Sequence, residues 1–167
     1  MGQFMFETLG DAITRLRLDW HKLIAKAGGQ CPVCDRWGKI YKRPINENMA
    51  FSVAWLTFTN DKNALGWTDV PRYAPRKIIR SNQLPTMRWW DLVERNDDGA
   101  EARDVKHMGM WRVTEKGAQF ARGEIKIPKY VYTYNDEVIM FSEDDQIFIH
   151  QAGGQFSYTE TMAEIGA

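Results

Sequence analysis

The sequence lacks the features that mark membrane proteins and disulfide-stabilised proteins. Its longest apolar runs are far shorter than the roughly 18 residues that a membrane-spanning helix requires. Its first residues lack the charged-then-apolar layout of a signal peptide. The only two cysteines, Cys31 and Cys34, are two residues apart and would close a very small loop, which excludes a disulfide framework. We therefore expect a cytoplasmic protein without a membrane partner.

Patterns that indicate catalysis are also missing. The neighbouring carboxylates at Asp97 and Asp98, and at Asp144 and Asp145, lie in polar runs where water solvates them. The glycine pairs at residues 28–29 and 153–154 lack the spacing of a phosphate-binding loop. The sequence therefore predicts a non-enzymatic protein.

Charge is distributed unevenly along the 167 residues although the net charge is zero. Residues 1–95 have 15 Lys/Arg against 9 Asp/Glu, whereas residues 96–167 have 7 against 13. From Asp136 onward the chain has seven acidic residues and no Lys or Arg. This division favours a dipolar molecule with a basic side and an acidic end, although solvated faces without a function would give the same counts.

Apolar residues near the N-terminus repeat at alternating spacings of four and three, which predicts an amphipathic helix of about five turns. They are Leu9, Ile13, Leu16, Trp20, Leu23 and Ala27. The glycines at positions 28 and 29 are expected to end the helix. Such a stripe fits packing on the same domain, which we favour, and also a homodimer in which two copies form a short coiled coil.

Composition and periodicity predict an α+β protein in three parts: a helix and cysteine motif in residues 1–45, a winged-helix-like domain in residues 46–141, and an acidic tail in residues 142–167. Residues 37–43 indicate a strand that presents Lys39 and Lys42 on one face. Residues 47–59 place apolar side chains around most of a helix, which predicts a buried core helix.

The C-terminal third is predicted to contain a hairpin followed by a loose tail. Tyr130, Tyr132 and Tyr134 alternate on one face of a strand, and Asn135 and Asp136 suit a tight turn. The last 25 residues are acidic and contain two adjacent glycines, so we expect them to be loosely held.

Residues 71–122 have the element order of a winged helix-turn-helix. Two short helices are expected to begin near Pro75 and Pro85, because proline is tolerated in the first turn of a helix. The polar run at residues 96–107 has no apolar period and predicts a surface loop, the wing, before a strand at residues 108–113. Thr114 is expected to cap a closing helix that ends at Gly123.

Residues 84–122 resemble the winged-helix transcription regulators of the multiple-antibiotic-resistance type. In those proteins a recognition helix is followed by a charged wing and by a helix that begins with the letters LTEKG, and the present chain has VTEKG at residues 113–117. The resemblance implies a winged-helix fold and, as an expectation, binding of duplex DNA.

Basic residues would make the DNA contacts, since lysine and arginine release counterions from phosphates and arginine also recognises guanine edges. The candidates are Arg76, Lys77 and Arg80 before the turn, Arg88 on the recognition helix, and Arg103 and Lys106 in the wing. However, the recognition helix is predicted to display Met87, Trp89 and Trp90 in place of polar side chains. That feature favours an alternative in which the domain docks another protein.

Cys31 and Cys34 have the spacing of a zinc knuckle, in which two thiolates bind one tetrahedral ion. A structural zinc needs four ligands, and the sequence has no second pair of this kind. His21 is the nearest further candidate, and sharing between two chains would supply the missing thiolates. Dithiol redox chemistry is disfavoured because a helix ending in two glycines precedes the motif. Two free structural cysteines remain the main alternative to zinc.

Several short motifs, taken in order, resemble a family of small uncharacterised bacteriophage proteins. They are CPVC at residues 31–34, the basic and aromatic residues at 39–43, the segment at 109–123 and the segment at 127–130. The resemblance implies a viral protein that acts in the cytoplasm of a bacterial host. Two functions follow: a nucleic-acid-binding accessory or regulatory protein, or an interaction module that inhibits a host or viral protein.

Overall fold

The protein is described by a computed structural model that covers residues 8–62, 66–96, 109–153 and 157–166. The fold belongs to the α+β class with small sheets, as the sequence predicts. The chain divides into two compact units, Met1–Arg43 with Tyr132–Met140, and Pro44–Val131 with Phe141–Ala167. Among the helices of the covered ranges, none combines the length and apolar character of a membrane span.

Helix α1 (Leu9–Lys26) in the first unit confirms the predicted N-terminal helix. Its N-cap Thr8 accepts a hydrogen bond from the Asp11 backbone N–H at 3.2 Å. Of its 18 residues only Ile24 is buried, whereas Leu9 is 78% exposed and Leu23 is also exposed. Ile13, Leu16 and Trp20 of the apolar stripe are half-buried. The packing that we favoured for the stripe therefore holds for its middle part and not for Leu9.

Strands β1 (Gly29–Gln30) and β2 (Trp37–Gly38) pair antiparallel on either side of the cysteine motif. Strand β3 (Tyr41–Pro44) follows, so the single strand predicted over residues 37–43 is in two pieces. The break occurs where the Ile40 N–H donates to the Ile24 carbonyl of α1 at 2.9 Å. Lys39 lies between the strands, and the prediction that it shares a strand face with Lys42 is wrong.

Strands β8 (Tyr130–Tyr134) and β9 (Glu137–Phe141) form the predicted hairpin, and β8 lies between β3 and β9 in a three-stranded sheet. Asn135 and Asp136 make the turn with φ values of 51° and 61°. A two-residue turn in which both residues have positive φ matches the right-handed twist of the two strands that it joins. Val131 and Thr133 of β8 are buried while its tyrosines are half-buried, which confirms the predicted alternation.

The core of the second unit is built around α2 (Glu47–Asp61), and Asn46 is the N-cap of this helix. The Asn46 side chain accepts a hydrogen bond from the Met49 N–H at 3.1 Å. Residues 49–57 are all buried, as expected for a helix that is apolar on most sides. Three later helices and one later strand of this unit pack on it.

A three-stranded antiparallel sheet adjoins α2, with the order β4 (Thr68–Asp69), β6 (Met110–Val113), β5 (Val93–Arg95). Between β4 and β5 the chain forms α3 (Val70–Tyr73), α4 (Arg76–Ser81) and a long 3-10 helix (Leu84–Trp90). The two helices predicted near Pro75 and Pro85 are therefore present, although the second has the tighter 3-10 geometry and α3 was not predicted. The predicted wing lies almost entirely outside the described residues, which resume at Gly109.

Helix α5 (Glu115–Ala121) is the predicted closing helix. The Thr114 hydroxyl accepts from the Gly117 N–H at 3.0 Å and donates to the Asp91 carbonyl at 2.7 Å. A β-carbon on Gly117 would lie 1.9 Å from the Leu92 carbonyl oxygen. The glycine of the TEKG motif therefore allows α5 to rest directly on the chain that enters β5.

The described residues of the acidic C-terminal part form regular elements that pack on the core, so the prediction of a loosely held tail is wrong for them. Strand β10 (Gln146–Ile147) pairs with β7 (Ile127–Pro128), and the short 3-10 helix Ile149–Gln151 follows. Helix α6 (Tyr158–Gly166) packs on α2. Apolar residues spaced among the acids make the core contacts: Ile147, Ile149, Ala152, Met162 and Ile165.

Candidate nucleic-acid interface

Three of the cations predicted to contact DNA lie on one side of α4. Arg76, Lys77 and Arg80 are exposed. At about 100° of rotation per residue, their directions fall within an arc of roughly 100° around the helix axis. Ile78 points to the opposite side and is buried in the core. The burial of Ile78 therefore directs the three cations toward solvent.

Lys77 is also held by an aromatic contact within the second unit. Its Nζ lies 4.7 Å from the ring centroid of Phe51, a buried residue of α2. Such a cation–π contact limits the freedom of the ammonium group without neutralising its charge. Arg76 and Arg80, which are four residues apart on one helix face, are therefore the better candidates for close phosphate contacts.

The long 3-10 helix presents Arg88 to solvent and turns its apolar residues inward. Leu84, Met87 and Trp90 are buried because a helix with about three residues per turn brings every third residue to the same side. The Trp90 indole N–H donates to the Pro128 carbonyl at 2.7 Å. The prediction that this helix displays Met87 and Trp90 is therefore wrong. Trp89, in contrast, is half-buried.

The segment that contains α3, α4 and the long 3-10 helix has charge of one sign. Residues 70–90 include five Arg or Lys and no Asp or Glu. Within the part of the chain that is described, Arg76, Lys77 and Arg80 form no ion pair with a carboxylate. Ion pairs in other parts of the second unit join Arg112 to Glu94 and Arg122 to Glu115 and Glu124. No carboxylate of the described residues therefore neutralises the positive charge of α4.

A mainly apolar groove of about 380 Å³ lies beside this cationic segment. Ile78 and Ile79 of α4 form one wall, and Trp111 of β6 forms another. Asn82 and Arg95 add polar groups to the lining. The groove has the size and composition of a site that accepts an apolar side chain or a small molecule.

The cysteine motif forms a tight turn in the first unit between β1 and β2. The Asp35 N–H donates to the Cys31 carbonyl at 2.9 Å, and the Cys31 N–H donates to the Arg36 carbonyl at 2.8 Å. Asp35 has a φ of 57°, in the left-handed region. Cys31 is buried and Cys34 is exposed, and the two approach each other to 3.6 Å.

The environment of Cys31 favours its thiolate form. Hydrogen bonds from the backbone N–H groups of Val33 and Cys34 lower the pKa of the Cys31 thiol, and the Cys34 side chain and Arg17 act in the same direction. Among the residues that the structure covers, no group of three or more His, Cys, Asp or Glu could hold a metal ion. One chain therefore offers two adjacent sulfur ligands and, in its described part, no third.

The first unit has a surface of its own on which cations lie next to aromatic rings. The Lys42 Nζ lies 5.8 Å from the Tyr132 ring centroid, and the Arg43 guanidinium lies 5.2 Å from that of Tyr41. Tyr41 and Trp37 are exposed. This surface includes residues of the basic stretch at 15–43, which has eight Lys or Arg against two acids.

The structure places four of the six predicted DNA contacts, Arg76, Lys77, Arg80 and Arg88, on exposed positions of neighbouring helices. Arg103 and Lys106 lie outside the described residues. Arg72 of α3 is a further exposed cation, which belongs to the basic run predicted from Arg72 to Arg88 but not to the six predicted contacts. The absence of any acid between Asp69 and Asp91 is the sequence signal that identifies it.

Comparisons with known proteins add no family. No protein-family model matches the chain, and neither a curated protein nor a solved structure shows significant similarity to it.

Proposed function

We propose that the chain is a non-enzymatic accessory or regulatory protein that binds duplex DNA through a winged-helix-like domain. The resemblance of its short motifs to bacteriophage proteins supports a viral protein that acts in the cytoplasm of a bacterial host. The cationic segment at residues 70–90 is the DNA-binding surface in this proposal.

The connectivity around the three-stranded sheet supports the winged-helix interpretation. The long 3-10 helix corresponds to the recognition helix, β5 and β6 to the strands on either side of the wing, and α5 to the closing helix. Strand β4 enters the helical segment and β5 leaves it, and both pair with β6. The sheet therefore fixes both ends of the segment that contains the cations, as a rigid DNA-binding surface requires.

The single observation that most supports DNA binding is the exposed, unneutralised charge of α4. Phosphate contacts provide much of the affinity of proteins for DNA, and they require cations that are not already paired. Arg76, Lys77 and Arg80 meet that requirement in the described structure. The inward direction of Met87 and Trp90 removes the main sequence argument against this surface.

The alternative function is a protein-interaction module that acts as a host-takeover or anti-defence inhibitor by occupying a host or viral protein. The apolar groove beside α4 favours it, because Ile79 is exposed there and could contact a partner side chain. Both functions use the same region of the second unit. They differ in whether its charge or its groove provides the binding energy.

An electrophoretic shift assay of the full chain with a random-sequence duplex tests the proposal. At low salt we expect a retarded complex, and at higher salt we expect the complex to weaken sharply because counterion release is lost. Absence of binding at low salt would reject DNA binding and leave the interaction module as the alternative. Binding that does not depend on salt would reject the cations of residues 70–90 as the source of the affinity.

A further inference from the structure

The turn between β1 and β2 holds its two cysteines at the separation that a tetrahedral zinc ion needs. With Zn–S bonds of about 2.3 Å, two sulfurs on one tetrahedral ion lie about 3.8 Å apart. Cys31 and Cys34 approach to 3.6 Å. A disulfide would require the sulfurs to close to about 2.05 Å. The separation of the two cysteines is therefore compatible with two sulfur ligands on one ion.

Backbone hydrogen bonds hold the two cysteines in this turn. The Asp35 N–H donates to the Cys31 carbonyl at 2.9 Å, and the Cys31 N–H donates to the Arg36 carbonyl at 2.8 Å. The turn is attached to α1, because the Trp20 indole N–H donates to the Gly29 carbonyl at 3.2 Å. A β-carbon on Gly38 would lie 2.5 Å from the Trp20 ring, so the hairpin and the helix are in close contact.

One chain nevertheless provides only half of a structural zinc site. Such sites have four protein ligands, and the described residues supply no third ligand near the pair. Cys34 is exposed, so an ion bound to it is accessible to a second molecule. We propose that Cys31 and Cys34 of two copies of this chain bind one zinc ion and join the copies into a dimer.

Charge makes the proposed dimer dependent on the metal. Residues 15–43 have eight Lys or Arg against two acids, so two such hairpins repel each other when they approach. A zinc ion with four thiolates has a net charge of −2, and basic groups such as Arg17 and Arg36 offset it. Four thiols release their protons to solvent when the ion binds, so zinc affinity falls as pH falls.

Metal analysis and mass measurement of the full chain, grown with zinc and purified without chelator, test the proposal. We expect one zinc ion for every two chains and a molar mass twice the 19.4 kDa of the chain. Chelation is expected to return the mass to that of one chain. Titration with Co²⁺ of the metal-free protein is expected to give a tetrahedral thiolate spectrum that saturates at the same ratio.

Three variants distinguish a shared site from other arrangements. Cys34→Ser is expected to lose both zinc and the dimer while its circular dichroism spectrum is retained, because Cys34 is exposed. Val33→Ser changes an exposed residue of the same turn without removing a thiol, and we expect it to behave as the parent. A triple variant with alanine at His21, His107 and His150 is also expected to keep zinc and the dimer.

The opposite results overturn the proposal. One ion per chain in a monomer, or zinc loss in the triple histidine variant, means that the chain completes the site itself. A dimer that survives chelation is held by another surface, such as the exposed stripe of α1. Protein that takes up no zinc, with the cysteines free or joined in a disulfide, contradicts the site altogether.

Discussion

Replacement of Arg76 and Arg80 by glutamine removes two exposed charges from one face of α4 and leaves the buried contacts of Ile78 in place. Each phosphate contact contributes about 0.9 to the slope of log affinity against log salt. If Arg76, Lys77, Arg80 and Arg88 each contact one phosphate, the slope is about −3.6, and affinity falls roughly 150-fold between 50 and 200 mM salt. In the double variant the slope is expected to be about −1.8, with a roughly 12-fold fall over that range.

Fluorescence anisotropy with a labelled random-sequence duplex, at four or more salt concentrations, measures this slope. Both positions are exposed, so the free energy of unfolding should change by less than about 0.5 kcal/mol for each substitution. Denaturant unfolding of the variant checks that the domain is intact.

A matched double variant, Arg122→Gln with Lys126→Gln, removes the same net charge from another part of the second unit. Arg122 lies 2.6 Å from Glu124 and 3.8 Å from Glu115 and is already paired. We expect the parent slope to be retained in this control. An unchanged slope in the α4 variant, or an equal decrease in both variants, would refute the assignment of the phosphate contacts to α4.

Further predictions concern the scaffold that positions this surface. Trp90→Ala should lower the free energy of unfolding by about 3–5 kcal/mol, because Trp90 is fully buried and donates to Pro128. Trp90→Phe should lower the free energy of unfolding by about 1–3 kcal/mol through the lost hydrogen bond. The salt slope should stay unchanged because the indole has no charge, and a changed slope would mean that the hydrogen bond to Pro128 positions the cations of this surface. Gly117→Ala should lower the free energy of unfolding by at least about 3 kcal/mol, the upper end of the usual cost of overpacking. The new β-carbon would overlap the Leu92 carbonyl oxygen. A β-carbon on Gly10, in the first turn of α1, would lie 3.7 Å from the Thr8 hydroxyl oxygen, an ordinary contact. Gly10→Ala should therefore leave the free energy of unfolding unchanged or raise it by at most about 0.5–1 kcal/mol. Equal effects of the two glycine substitutions in urea unfolding would contradict this packing.

Local patterns predicted the elements whose formation depends on neighbouring residues. The Thr114 cap, the start of the helix at Arg76 and the turn at Asn135 and Asp136 are examples. Each depends on side-chain and backbone chemistry within a few residues, which a single sequence contains. The α+β class followed from these elements.

Predictions that depend on tertiary packing were less successful. The direction of Trp90 depends on the 3-10 geometry of its helix and on the distant Pro128 carbonyl, and neither follows from local propensity. The acidic composition after Asp136 suggested a loose tail, yet a few well-spaced apolar residues such as Ile149 and Met162 fix it to the core.

The candidate site was predictable in composition but not in arrangement. The run of cations from Arg72 to Arg88 is visible in the sequence. Which of them are exposed and unpaired depends on the burial of Ile78 and on where the acids of other elements lie. The separation of Cys31 and Cys34 likewise required the turn geometry.

Backbone amide NMR of the 15N-labelled full chain, titrated with a short duplex at low salt, tests the DNA-binding surface most directly. The proposed function predicts that the largest shift changes occur in residues 70–90, centred on α4 and the long 3-10 helix. Changes confined to residues 15–43, or no changes at all, would contradict it.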